Sequence, residues 1–160
     1  MSPYHGDASE RTSHRPNGDE AMSDTRTLAI IKPDAFGSGK AGKIIDYLES
    51  DGFRILAARV VHLSRLGAEA FYDVHRGKPF FTSLVDFMTS GPVLPMALER
   101  EDAVKRLREV IGATDPAEAD PGTVRALYAE SKERNAIHAS DSPDNARVEV
   151  AFFFAGVDLA

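Results

Sequence analysis

The residues best suited to chemistry are few. His138 lies in Asn135-Ala-Ile-His-Ala-Ser-Asp-Ser142, a polar and irregular stretch just ahead of a helix. Small neighbours leave its ring room to meet a substrate, and an imidazole is an able nucleophile or base near pH 7. A hydrogen-bonded loop histidine is the plainer reading of the same residues. Glu149, near the end of that helix, could orient the imidazole or stand as a surface carboxylate. Three bases have telling positions. Lys32 ends an apolar run, where a side chain can leave the core. Arg108 sits about 40° from Val104 on a helical wheel, at the margin of an apolar stripe, so it can turn into a groove or snorkel. Arg125 follows Gly122-Thr123 at the onset of a short helix, and Thr114 opens a Pro/Gly-rich loop. Together these cations would make a basic pocket for an anion on an acidic protein. Phe80 and Phe81 cannot both face one core from a helix. The exposed one could stack on a nucleobase or pack against a neighbouring subunit.

The elements that must hold these groups follow from periodicity. Thr27 to Lys32 reads as a buried strand stopped by Pro33-Asp34. Residues 42–50 form a helix stopped by Gly52, and 53–63 a long strand in which Arg59 predicts a bulge or an exposed edge. Residues 67–74 and 80–89 read as short helices, and 93–98 as a third strand. Residues 101–111 form an amphipathic helix with acids in its first turn. Residues 112–122 are loop, 123–128 a brief helix and 129–142 mostly irregular. Ser142-Pro143 opens a last helix, and Val150 to Phe154 reads as the fourth strand. The expected fold is α+β: an antiparallel split-βαβ sheet covered by helices on one face.

Composition excludes several classes. With no cysteine there is no disulfide, thiolate metal site or thiol nucleophile. No run of eighteen apolar residues exists, so no membrane helix is expected. A net charge of −6 argues against a nucleic-acid-binding role. Residues 1–24 contain no Val, Ile, Leu or Phe, and five acids oppose two arginines there. Such a segment reads as a disordered extension ahead of one domain over 25–160. It has no secretory h-region, and His5 and His14 match no ligand spacing. Met22 is a possible alternative start. Gly37-Ser-Gly-Lys40 is not a phosphate loop, because Asp34 and Ala41 occupy the places of its first Gly and its Ser/Thr.

Ile30-Ile-Lys-Pro-Asp34, Phe71-Tyr72, Lys78-Pro-Phe-Phe81, Ser90-Gly-Pro-Val93, Gly112-Ala-Thr-Asp-Pro116, Pro121-Gly-Thr-Val-Arg125 and Asn135 to Ser142 together resemble the nucleoside diphosphate kinase family. The resemblance runs in register from about residue 26 to 154. It implies a ferredoxin-like βαββαβ sheet and transfer of the γ-phosphate of ATP or another nucleoside triphosphate to a nucleoside diphosphate, which maintains nucleotide pools. His138 would carry the phosphoryl group as phosphohistidine in a ping-pong reaction. Glu149 would hold the ring, with Ser140 as a hydroxyl linked to that carboxylate and Tyr72 as an aromatic beside the histidine. Lys32, Arg125 and Asn135 would surround the transferred group, and Arg108 and Thr114 would contact the next phosphate. Phe80 would stack on the base. The family further implies Mg²⁺ carried by nucleotide phosphates rather than protein side chains, a homo-oligomer (tetramer or hexamer) built from dimers, and a cytoplasmic location. Ala139 and Ala126-Leu127 depart from the usual pattern, which motivates an alternative reading as a regulatory nucleotide-binding module.

Overall fold

From Thr27 to Ile31 every residue of strand β1 (Arg26–Ile31) is buried in the computed structural model, which describes residues 24–160. The expected disordered extension over 1–24 lies outside the described residues, save Asp24. A strand buried all along must be covered on both faces. Ala29 and Ile31 pack with Ile44, Leu48, Leu107 and Ile111, whereas Leu28 and Ile30 pack with Ala68, Val85, Met88 and Phe153. Helices therefore lie on both sides of the sheet, not one as the sequence reading expected. The unbroken apolar run of β1 is the signature of that double burial.

After β1 come α1 (Pro33–Gly37), α2 (Ala41–Ser50), β2 (Arg54–Ala58), α3 (Arg65–Phe71), a single 3-10 turn at Asp73–His75 and α4 (Phe81–Met88). Then follow β3 (Leu94–Glu99), α5 (Ala103–Ile111), α6 (Val124–Tyr128), β4 (Ile137–Ala139), α7 (Pro143–Phe153) and a 3-10 turn at Gly156–Leu159. The sheet order is β2-β3-β1-β4 and every pairing is antiparallel. This is the ferredoxin-like α+β arrangement, with α3 and α4 inserted between β2 and β3.

Several boundaries depart from the sequence expectation. The fourth strand is Ile137–Ala139, inside the stretch expected to be irregular, and Val150 to Phe154 is mostly helix. Packing decides this. Ala146, Val150 and Phe153 recur at helical offsets and are buried, whereas a strand would have turned Phe152 inward beside Val150; Phe152 is 43% exposed. Glu149 consequently sits within α7 rather than near its end. β2 is shorter than 53–63. It is an edge strand and Arg59, just beyond it, is exposed, which is the second of the two readings of that residue. The register slips between Ile55 and Ala57 and puts the bulge at Leu56. Beyond β2, Arg59 N–H donates to the Pro95 carbonyl and Val61 bridges back to Val93. The acids expected in the first turn of α5 precede it, and Asp102 takes the N-cap position at φ 51°, a left-handed conformation that Asp tolerates better than most residues.

The loop from 112 to 123 depends on Gly112. It ends α5 at φ 86°, and a Cβ there would lie 2.4 Å from Thr123 Oγ1 and 2.8 Å from Thr123 Cβ. Thr123 cannot easily give way: it is buried, caps α6 by accepting from Ala126 N–H and donates to the Asp120 carbonyl. Gly112→Ala is therefore expected to lower unfolding free energy by about 2 kcal/mol or more, through strain and overpacking. Urea unfolding followed by circular dichroism measures this; an unshifted midpoint would show that the turn relaxes at no cost.

Candidate active site

The site is assembled from the ends of β1 and β4 and the loops around them. Ile30 and His138 are directly paired across the two strands, so their side chains leave the same face of the sheet. His138 thus lies on a strand and not in a loop. Its ring meets Phe71 at 5.4 Å and Tyr72 at 6.1 Å, both edge-on. Nε2 is hydrogen-bonded to Glu149 Oε1 from α7. A carboxylate only accepts, so Nε2 carries the proton and the lone pair of the neutral ring resides on Nδ1. Nδ1 has no hydrogen bond among the described residues. The His138 side chain is 20% exposed, which leaves it reachable.

Pro33-Asp34 fastens the segment before His138. Lys32 N–H donates to the Ala136 carbonyl (2.9 Å), and Asp34 Oδ2 accepts from Ala136 N–H (3.0 Å). Ala136 is held between them at φ 72°, unusual for alanine. Ala139, the departure singled out in the sequence, lies in β4 and not among the residues of positive φ, so its methyl adds no backbone strain. Lys32 Nζ donates to Asn135 Oδ1 at 2.7 Å, and Asn135 Nδ2 donates to the Thr114 carbonyl at 3.2 Å. A chain of hydrogen bonds thereby ties the end of β1 to the loop after α5.

Two cations of this site, Lys32 and Arg125, are buried without an ion pair among the described residues. Burial, and secondly the charge of Arg125, lower the pKa of Lys32 to about 8. Burial and then the charge of Arg108 lower that of Arg125 to about 10. Arg125 Nη1 donates to the Gly112 carbonyl (3.0 Å) and Nη2 to the Ile137 carbonyl (2.8 Å), next to His138. Carbonyl dipoles orient the guanidinium while leaving its charge unneutralised. Arg108, Thr114 and Arg125 line one groove of about 820 Å³, together with Gly112, Asp141 and Pro143. Lys32, Asn135, His138 and Phe80 are not among its lining residues; the first three join it through the hydrogen bonds and strand pairing just described.

Phe80, 46% exposed, precedes α4, while Phe81 is half-buried against the core, as adjacent helical positions require. Its ring lies 5.3 Å from His75 and under the Lys78 ammonium at 5.8 Å. Tyr72 is buried, its hydroxyl has no partner among the described residues, and burial together with the Glu149 charge raises its pKa well above the usual phenol value. Ser140 is fully buried, but its Oγ accepts from Leu28 N–H (3.3 Å); the expected link to Glu149 is not formed. Sequence reasoning gave no role to Phe71 or Asp34. Both stood inside quoted motifs, and only contacts across the fold show what they touch.

An unprotonated ring nitrogen beside uncompensated cations is suited to take up a phosphoryl group. Comparison with known proteins agrees. The family model described as nucleoside diphosphate kinase matches residues 25–159. A nucleoside diphosphate kinase of Nitratiruptor sp. is 58% identical over 81% of this chain and 95% of its own length. One from Sorangium cellulosum is 54% identical over 87% and 96%. Among solved structures, the Aquifex aeolicus nucleoside diphosphate kinase superposes with a TM-score of 0.83 at 48% identity, covering 85% of this chain and 99% of that one. The Halobacterium salinarum enzyme, solved in complex with CDP, gives 0.82 at 38% identity over 86% and 91%. By sequence, fold and motif set, the chain belongs to the nucleoside diphosphate kinase family of phosphotransferases.

Proposed function

We propose that this kinase works by a ping-pong reaction through a phosphohistidine at His138. The reading is carried by one observation: Glu149 occupies Nε2, which leaves the Nδ1 lone pair free. Nδ1 attacks the γ-phosphorus of a nucleoside triphosphate, the bond to the β–γ bridging oxygen breaks, and the nucleoside diphosphate departs with that electron pair. The Glu149 carboxylate stabilises the positive charge that the ring gains. A second nucleoside diphosphate then attacks the phosphohistidine with its terminal oxygen, and the N–P bond breaks to restore the imidazole. A loose phosphoryl transition state is served by positioning and positive charge. Lys32, Arg125 and Asn135 surround the transferred group. Arg108 and Thr114 hold the next phosphate, and Phe80 stacks on the base. Tyr72 and Phe71 fix the plane of the imidazole, and Ser140 anchors β4 to β1. Because Phe80 offers only a face, every common base is accepted.

Mg²⁺ brought in with the nucleotide would supply further charge neutralisation during transfer. Among the described residues no three His, Asp or Glu side chains form a cluster able to hold a metal. The protein forms a homo-oligomer, tetrameric or hexameric, supported by exposed apolar side chains such as Val60, Leu66, Val74 and Val157. The enzyme supplies nucleoside triphosphates in the cytoplasm; no helix of the described residues is long and apolar enough to cross a membrane. Ala139 gives the regulatory alternative no support, since no strain follows from it.

Incubation with γ-labelled ATP is expected to give an acid-labile, base-stable label that a nucleoside diphosphate removes; His138→Ala should take up none, and label persisting in that variant would exclude this mechanism. Phe80→Ala is expected to weaken ADP binding by about 1–3 kcal/mol, read by calorimetry, and unchanged binding would reject the stacking role. Lys32 is charged below its lowered pKa of about 8 and neutral above it. The kcat/KM for nucleotide should therefore fall as pH rises through that value, because this ratio reports groups of the free enzyme. Lys32→Arg should lower the plateau yet remove the fall, and a fall that persists would assign it to another group.

A further inference from the structure

Phe80 needs support. Its ring is 46% exposed, so little of the protein surrounds it, and an unsupported ring would lose rotamer freedom each time a ligand stacked on it. The ring that supports it is His75, at the end of the 3-10 turn, whose centroid lies 5.3 Å from that of Phe80 with the planes tilted by 60°. On its other side His75 stacks on Tyr72 at 6.3 Å and 24°. Tyr72 is buried and itself touches the His138 ring. Phe80, His75, Tyr72 and His138 thus form a continuous file of rings from the exposed platform to the reacting imidazole.

The backbone holds this arrangement. His75 N–H donates to the Tyr72 carbonyl and Lys78 N–H to the His75 carbonyl. Gly77, at φ 83°, reverses the chain between them. Lys78 Nζ stands 3.4 Å from His75 Nδ1, and an ammonium only donates, so Nδ1 accepts. The same ammonium lies over the Phe80 ring. Burial first, then the charges of Lys78 and His138, lower the pKa of His75, with Asp141 opposing them. The neutral ring that can accept from Lys78 is thereby favoured.

We infer that His75 is a positioning residue for the nucleoside half of the substrate: its ring, wedged between Tyr72 and Phe80, sets the pose in which Phe80 meets a nucleobase. The inference rests on the stacking role proposed for Phe80. It separates the site into two parts. The cations and Asn135 act on phosphate, whereas His75 acts on the base alone and leaves phosphoryl transfer untouched.

The test compares ADP with inorganic tripolyphosphate, a ligand that has the phosphates and no base. His75→Ala is expected to weaken ADP binding about three- to tenfold, the range of an aromatic pair. Inhibition by tripolyphosphate and the rate of His138 phosphorylation at saturating ATP should each stay within about twofold of the parent. His75→Phe, which keeps a ring, should restore ADP binding. If His75→Ala does not fold, His75→Gln replaces it with the same expectations. Unchanged ADP affinity in His75→Ala beside a weakened Phe80→Ala would overturn the inference and leave stacking intact. Unchanged affinity in both would overturn stacking and the inference with it. An equal loss of tripolyphosphate inhibition, or no recovery in His75→Phe, would also overturn it.

Discussion

Lys32 and Arg125 are removed from water with no carboxylate of the described residues in ion-pair contact. Burying an unpaired charge is costly, and proteins ordinarily neutralise such groups or pair them. Here the compensation is partial by construction. An amide oxygen receives Lys32, and two backbone carbonyls receive Arg125. These dipoles fix where each cation points without cancelling its charge, so the site stays attractive to an anion. An acidic protein can in this way hold two cations whose charge their immediate partners do not cancel.

Much of the fold serves to keep those dipoles in place. The carbonyls that receive Arg125 belong to Gly112, at the end of α5, and Ile137, in β4. The Asn135 side chain is in turn tied to the Thr114 carbonyl. Asp34 and the Lys32 backbone grip both polar groups of Ala136, which tolerates a left-handed conformation only because it is held on both sides. Gly112 has no room for a methyl group, so the start of the loop bearing Thr114 lies close against Thr123, the N-cap of the helix bearing Arg125. Strand pairing does the rest: the register of β1 with β4 puts His138 opposite Ile30 and brings its ring to Phe71, Tyr72 and Glu149.

Local patterns made some of this legible and other parts not. Helical stripes such as Val104, Leu107 and Ile111 are long enough to declare their period, and the structure buries those residues. The fourth strand was misplaced for a definite reason. Ile137–Ala139 is three residues long with a polar residue in the middle, whereas Val150 to Phe154 is a denser apolar run. Short apolar runs do not distinguish strand from helix, and only packing against Leu28 and Ile30 selected the helix. Arg59 marks the exposed edge, one of the two readings its charge allows, whereas the bulge at Leu56 leaves no local trace, since register is settled by the partner strand. Ser140 shows the same limit for a site residue: its type suggested a bond to Glu149, and its depth in the sheet gives its oxygen to Leu28 instead.

The sequence by itself determined the chemical inventory: a cysteine-free domain with one histidine amid small polar residues, three well-placed cations, an exposed phenylalanine and a set of motifs in register with a known family. Residue types and short spacings suffice for that, because they are properties of the chain and not of its neighbours. Tertiary structure alone decided which nitrogen of His138 is free, which cations lose their solvent, and that His75 stands between Phe80 and Tyr72. Each of these depends on groups far apart in sequence, and desolvation and hydrogen-bond geometry exist only once the fold has brought them together.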